Sequence, residues 1–305
     1  MKAFVIPRQG AAVVERVDVP IPHPGEDELL VCIRAVGVGI HDSSFLPADA
    51  AYPFPIGIEA SGVVEAVGDA VRGRRPGERI AFVSALQPKG GTWAQYCVLK
   101  ADSLIIDVPE ALDFHRAAAL PVAGNTSLRA LRALGPAPAG GTLFIAGGSG
   151  AIGTLAIQLA VRRGWRVAAS ASEANHAYLG SLGAEKVVDY RDGLWREQVI
   201  DWKPGGVDAV LAVQPGTSAQ SLGVVMDGGT LISISGDGPE PERGIRLLVV
   251  PHLLDVADEL ARLFEQVDAG GIHLEIERVY PFDEALAALA KVRTRRAGGK
   301  VVLAL

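Results

Sequence analysis

The sequence predicts a mixed α/β chain made of two parts, an antiparallel barrel-type sheet followed by a doubly wound parallel sheet. Three observations carry this. Up to about residue 120 the chain is cut by Gly and Pro into short apolar runs, from Asp113 it becomes alanine-rich with helical spacing, and after Gly141 strand-like runs alternate with helical ones. At 305 residues and roughly 150 residues per domain, two domains are expected.

In the first part the apolar runs predict strands at 2–6, 29–36, 61–67, 79–83, 93–99 and 104–108. In the second they predict strands at 142–146, 166–171, 186–189, 207–213, 230–234 and 246–250, with helices at 151–163, 173–182, 193–202 and 218–226 between them. Helices at 253–267 and 282–292 and strands at 274–280 and 300–305 complete the chain, and these last two strands are expected to rejoin the first domain. The expected division is therefore 1–118 with 270–305, and 119–269.

The balance of 29 basic against 35 acidic residues, a net charge of -6, argues against a surface for nucleic acid or anionic lipid. No apolar run has the length to cross a bilayer, and the apolar start Met1 to Ile6 is too short for a secretory signal. A cytoplasmic protein with no nucleic-acid or membrane partner is expected. Two cysteines, Cys32 and Cys97, exclude a disulfide scaffold and a four-cysteine zinc lobe.

The strongest local signal follows the strand at 142–146. There Gly147-Gly148-Ser149-Gly150-Ala151-Ile152-Gly153 opens an apolar helix. Strand, glycine turn and helix in this order form a dinucleotide-binding fingerprint. The glycines are expected to allow positive φ in the turn, close approach of a pyrophosphate, and helix-to-strand packing at Gly153. Free amides at the helix start would bind the anion. A carboxylate at the end of the next strand would hold the ribose hydroxyls of NAD. That strand ends Ala169-Ser170-Ala171-Ser172 without one, so NADP(H) is expected. Glu173 lies about 20 residues beyond Gly153 and keeps NAD(H) open, and Ser172 is also placed to cap the following helix.

Over nearly its whole length the chain resembles the zinc-free quinone oxidoreductases of the medium-chain dehydrogenase/reductase superfamily. The segments that carry this are Gly57-Ile58-Glu59-Ala60-Ser61-Gly62 continuing to Gly68, Ala117 to Thr126, the glycine turn, Leu182-Gly183-Ala184 with Val188-Asp189-Tyr190, Leu231 to Gly236, and Gly298-Gly299-Lys300-Val301-Val302-Leu303. The resemblance implies a GroES-like catalytic domain, a Rossmann domain, an active site in the cleft between them, and a homodimer. Zinc-dependent relatives carry Cys in a Gly-x-Cys motif and His in a Gly-His-Glu motif. Here Gly39 and Ile58 occupy those positions and offer no metal donor, so no metal is expected. Without a Lewis acid the acceptor must activate itself, as a quinone or an α,β-unsaturated carbonyl does by delocalising charge onto oxygen.

The resemblance places Asn125 and Thr126 beside the nicotinamide and Gly147, Gly148, Ser149, Gly150, Ala151, Ile152 and Gly153 against the pyrophosphate. It puts Ser170, Ser172, Asn175 and Tyr190 around the adenosine 2′-position. The backbone of Ser233, Ile234 and Ser235 falls near the nicotinamide carboxamide, and Val213 is a further cofactor-binding candidate. Relatives often carry Lys or Arg shortly after the strand-end serine, where this chain has Ala174-Asn175, and they favour Asn-Pro where it has Gly39-Ile40. Candidate proton donors are Tyr52, His41 and Asp42. Tyr52 is preferred because a phenol can donate while neutral, and a wall-only role with solvent as the proton source stays open. The expected activity is NADPH-dependent reduction of a quinone or enone. An enoyl-thioester reductase and a non-catalytic NADPH-binding redox sensor are the alternatives.

Overall fold

The strands before the first helix are β1 (Lys2–Ile6), β2 (Glu15–Asp18), β3 (Glu28–Val38), β4 (Phe54–Pro55), β5 (Glu59–Val67), β6 (Arg79–Val83), β7 (Tyr96–Lys100) and β8 (Ile105–Asp107). The computed structural model describes residues 1–250 and 255–305. Contacts divide it into one unit of Met1–Val122 with Leu260–Leu305 and another of Ala123–Glu259.

In the first unit β3 is long enough to serve two neighbours along one edge. Residues 28–32 pair antiparallel with β7, and residues 35–38 pair antiparallel with β16 (Lys300–Ala304) near the chain end. Its other edge carries β5, then β6 and β8, while β15 (Ile276–Pro281) extends the sheet beyond β16. Lys300, on β16, is thereby brought beside Glu59 at the start of β5. A smaller sheet of order β2-β1-β4 lies alongside. The strands β2 and β4 escape a pattern search for physical reasons. β2 is Glu-Arg-Val-Asp with no buried residue, and β4 contributes only Phe54 and Pro55.

The expected strand at 93–99 begins only at Tyr96. Ahead of it the Trp93 backbone serves other segments, donating to the Ile56 carbonyl and accepting from Phe4 N–H. The alanine-rich stretch from Asp113 forms α1 (Phe114–Ala118), capped by the Asp113 carboxylate accepting from Arg116 N–H, and then α2 (Pro121–Leu134). Proline suits the first turn of α2 because that amide would have no helical partner.

The second unit has strands β9 (Thr142–Ala146), β10 (Arg166–Ala171), β11 (Ala184–Asp189), β12 (Val207–Ala212), β13 (Val225–Ser233) and β14 (Arg246–Val249). All pairs are parallel and the spatial order is β11-β10-β9-β12-β13-β14. This is the doubly wound order, and its direction reverses between β9 and β12, where ligands bind beyond the carboxyl ends of the strands. Helices α3 (Ala151–Arg162), α4 (His176–Ser181), α5 (Trp195–Trp202) and α6 (Thr217–Ser221) join successive strands. Phe144 stacks on Trp195 at 5.4 Å between ring centroids, tying β9 to α5.

Two helices depart from expectation. The one expected at 218–226 ends at Ser221, passes through a 3₁₀ turn at Leu222–Val224, and gives way to β13 at Val225. The Arg243 guanidinium donates to the carbonyls of Leu222 (2.5 Å) and Val225 (2.9 Å), which a continuing helix would have used itself. The one expected at 253–267 is α7 (Ala257–Asp268), and its first two expected residues lie outside the described ones. The chain then closes with α8 (Ala285–Arg293) and β16. Among the described residues no helix is long and apolar enough to cross a membrane.

Candidate functional site

The glycine turn leaves β9 at Ala146, whose neighbours in register are Ser170 on β10 and Ala212 on β12. Only Gly147 of this turn has positive φ, +95°, so that requirement falls one residue earlier than the fingerprint glycines. Gly148 is needed for packing. A Cβ there would lie 2.8 Å from Leu179 Cδ1 and 2.9 Å from the Ala169 Cβ. At Gly153 a Cβ would meet the Gly147 carbonyl oxygen at 2.4 Å, which fixes α3 against the turn.

Gly150 differs from both. It is the N-cap of α3 without a side-chain hydrogen bond, and a Cβ there would find no protein atom closer than Gln214 Nε2 at 3.8 Å. A carbon is thus accommodated at the helix start without a clash, and Ser149, Gly150, Ala151 and Ile152 are half-buried around it. The first amides of α3 have no helical acceptor. Space and donors together fit a pyrophosphate.

Ser170, expected at the adenosine 2′-position, is engaged by the glycine turn. It is buried, and its Oγ accepts from Gly147 N–H at 3.1 Å while its carbonyl accepts from Gly148 N–H at 2.8 Å. Its work is to hold the turn. At the tip of β10, Ser172 Oγ accepts from Asn175 Nδ2 at 3.0 Å, and the two side chains are half-buried together. Ser172 does precede the 3₁₀ turn at Glu173–Asn175, but its side chain makes no capping bond. Tyr190 is exposed just beyond β11.

The structure adds Asp189 and Arg191 to this group. Asp189 is paired in register with Ala171, and its carboxylate accepts from Glu173 N–H at 3.2 Å. The Arg191 guanidinium bonds the same carboxylate and holds it well below the usual range. Arg191 follows Tyr190, which the resemblance places here, and reaches the tip of β10 from the neighbouring strand.

On the other side of the sheet's reversal, Val213 N–H donates to the Ala146 carbonyl at 3.0 Å, setting Val213 beside the turn. The Ser233 and Ser235 hydroxyls both donate to Asp237, whose other oxygen accepts from Gly216 N–H at 3.0 Å. Asp237, absent from the sequence expectations, thus ties the loop after β12 to the loop after β13. The Ile234 amide donates to the Ala212 carbonyl at 2.9 Å.

In α2 the Ser127 hydroxyl contacts the carbonyls of Ala123 (2.8 Å) and Ile152 (3.1 Å), which anchors the helix against the start of α3. Asn125 and Thr126, half-buried, sit on the turn so anchored. Asn125 Oδ1 is buried without a hydrogen-bond partner. An orphaned acceptor of this kind costs free energy unless something donates to it, and an amide group would. The second unit's residues therefore fit a nicotinamide dinucleotide at both ends.

In the first unit the loop between β3 and β5 carries His41, Asp42 and Tyr52. Asp42 is no candidate for donating a proton to an external molecule. It is 1% exposed, and its Oδ2 accepts from Gly39 N–H at 3.0 Å and from Trp93 Nε1–H at 2.9 Å. Burial pushes its carboxyl up to about 7. His41 packs its ring on Phe45 at 5.1 Å, and burial together with the Arg295 charge lowers its pKa. Tyr52 packs partly buried on the unit's apolar core.

Position 39 has room only as far as Asp42 Oδ1, 3.1 Å from a built Cβ, and Ile58 is buried. Among the described residues no three His, Cys, Asp or Glu side chains cluster as metal ligands. Beside Ile58, Glu59 is ion-paired with Lys300, both buried, and its Oε2 accepts from Val122 N–H at 2.7 Å in the first turn of α2. Of the cysteines, Cys97 is buried with its thiol pushed up to about 12 by burial, and Cys32 is half-buried.

Residues 25–110 match the family model described as alcohol dehydrogenase GroES-like domain, and residues 182–303 match the one described as zinc-binding dehydrogenase. The chain is 30% identical over 319 residues to 2-methylene-furan-3-one reductase of Solanum lycopersicum, covering 99% of this chain and 79% of the relative. It is 28% identical to quinone oxidoreductase of Sus scrofa, over 94% of this chain and 92% of the relative. Among solved structures, mycobacterial Rv1454c complexed with NADPH is similar with a TM-score of 0.87 at 28% identity, covering all of both chains.

Proposed function

The chain belongs to the medium-chain dehydrogenase/reductase superfamily, in its quinone oxidoreductase group, and from that premise we propose that it reduces a quinone or an α,β-unsaturated carbonyl with NADPH. The observation that carries this reading is the coexistence of a pyrophosphate cradle, left open at Gly150, with Gly39 and Ile58 at the two metal-ligand positions. A chain with the cradle and without the donors suits an acceptor that needs no metal. The names of the relatives, a methylene-furanone reductase and a quinone oxidoreductase, support the same class of acceptor.

When bound, NADPH supplies the hydride, and the acceptor's own carbonyl takes up the developing charge. The chain's share is placement and a proton. The amides at the start of α3 bind the pyrophosphate, and Ser170 keeps the turn in register for them. Asn125 Oδ1 accepts from the carboxamide, satisfying its orphaned lone pairs. The loop fastened by Asp237 supplies backbone groups at the same end. The proton comes from Tyr52, which packs partly buried on its own unit's core, or from solvent, and Asp42 is not its source because its carboxyl is enclosed by Gly39 and Trp93.

Direct hydride transfer is tested with NADPH deuterated at one face of the nicotinamide C4 and an open-chain enone. The expected product carries deuterium at the carbon β to the carbonyl, from one face only. Label lost to water, or no protein-dependent product across a panel of quinones and enones, overturns the proposal.

A further inference from the structure

Resting on the NADPH-dependent reading above, we infer that Arg191 is the residue that recognises the 2′-phosphate of NADP(H), with Asp189 as the carboxylate that positions it. The parallel register places Asp189 opposite Ala171, so the end of β11 adjoins the end of β10, where the adenosine ribose of a dinucleotide lies in a doubly wound sheet. The residues after β10 offer no Lys or Arg of their own, since Ser172 is followed by Glu173-Ala174-Asn175. The cation has to come from elsewhere.

The hydrogen bonds at this tip take up the Asp189 carboxylate. Asp189 Oδ1 accepts from Arg191 N–H at 2.9 Å and from Arg191 Nε–H at 2.9 Å. Asp189 Oδ2 accepts from Arg191 Nη2–H at 2.5 Å and from Glu173 N–H at 3.2 Å. A carboxylate has about four lone-pair sites, and here four donors occupy them. No acceptor on Asp189 is left for the two hydroxyls of an unphosphorylated ribose.

The guanidinium is in the opposite condition. Of its five N–H groups, the side-on pair consumes Nε–H and one on Nη2. Both on Nη1 and the second on Nη2 remain, and the side chain is 59% exposed. The carboxylate and the Tyr190 ring, 5.9 Å from the guanidinium carbon, limit its wandering. A fixed planar cation with three free donors beside a saturated carboxylate is a phosphate site. Ser172 and Asn175, which bond each other, and His176, whose Nε2 lies 3.4 Å from the Ala171 carbonyl, complete the polar groups at this tip, with Glu173 as its exposed acid.

Binding, measured by isothermal titration without any acceptor, tests this. NADPH, NADH, 2′,5′-ADP and 5′-AMP are titrated into the wild-type protein and the Arg191→Ala and Arg191→Lys variants. Arg191→Ala is expected to lose about 10- to 100-fold in affinity for NADPH and 2′,5′-ADP, the scale of one charge-assisted pair. NADH and 5′-AMP should stay within about 3-fold, and Arg191→Lys should fall between, because an ammonium keeps the charge without the fork. Equal losses for the phosphorylated and unphosphorylated ligands overturn the inference. A wild type that prefers NADPH, with an Arg191→Ala variant that keeps the preference, overturns the assignment to Arg191 alone. A wild type that binds NADH as tightly as NADPH overturns the NADPH reading with it.

Discussion

Ser170 grips the residue that turns the chain out of β9: its Oγ accepts the Gly147 amide at 3.1 Å from the neighbouring strand. Serine at the end of β10 is therefore part of the turn's construction. The Ser170→Ala variant leaves a turn amide without its acceptor and should lose about 1 kcal/mol of stability and several-fold in dinucleotide affinity. Thermal melting with and without NADPH measures both. A variant whose ligand-induced shift equals that of the wild type contradicts this role.

Two glycine substitutions a few residues apart should behave differently. Gly153→Ala drives a methyl to 2.4 Å from the Gly147 carbonyl, so the turn must move, and both stability and binding should fall. At Gly150 no protein atom lies within 3.8 Å of the added methyl and φ is −82°. Gly150→Ala should melt within about 0.5 kcal/mol of the wild type yet bind NADPH about 10-fold or more weakly, because only the ligand needs that space. Chemical denaturation and titration of the pair separate the two cases.

The buried pair of Glu59 and Lys300 bonds the first turn of α2 to the strand core. Lys300→Met leaves Glu59 buried without its counter-ion, a loss of about 3–5 kcal/mol. The double variant Glu59→Gln/Lys300→Met keeps an acceptor for Val122 N–H and removes both charges, and it should recover most of that loss. Urea unfolding of the single and double variants checks the coupling, and simple addition of two losses speaks against it.

Asp42 sets a pH dependence. Its carboxyl is raised from 3.8 to about 7 by burial, so the folded protein retains a proton that the unfolded chain releases. A raised pKa gives stability that is fully present below about 4 and is lost as pH rises towards 7. Asp42→Asn cannot titrate, and its side-chain oxygen can still accept from Gly39 and Trp93. Its stability relative to wild type should therefore improve steadily between pH 4 and 7. Parallel stability–pH curves for the two proteins would show that Asp42 does not titrate in this range.

The central strands β9, β10 and β12 were legible because burial on both faces makes them near-continuous apolar runs, as in Thr142–Ala146, all of it buried. The glycine turn was legible because Gly148 and Gly153 have no room for a Cβ, the first against side chains and the second against backbone, while Gly150 stands between them at the start of α3. By contrast β2 was hidden, since no residue of Glu15–Asp18 is buried and its backbone pairs at a sheet edge with β1. Asp42 read as a loop acid near His41, and only the fold turns it onto Trp93. Arg191 and Asp237 carry no motif, and their value shows only in the fold, where Arg191 meets the end of β10 beside Asp189 and Asp237 reaches Gly216 across to the loop after β12.

The most direct measurement is steady-state oxidation of NADPH and of NADH by the purified protein with p-benzoquinone and with an open-chain enone, corrected for reaction without protein. Acceptor-dependent turnover with kcat/KM at least about tenfold higher for NADPH, equivalent to about 1.4 kcal/mol, is the predicted result. Tight NADPH binding with no turnover on any acceptor, or a preference for NADH, would contradict it.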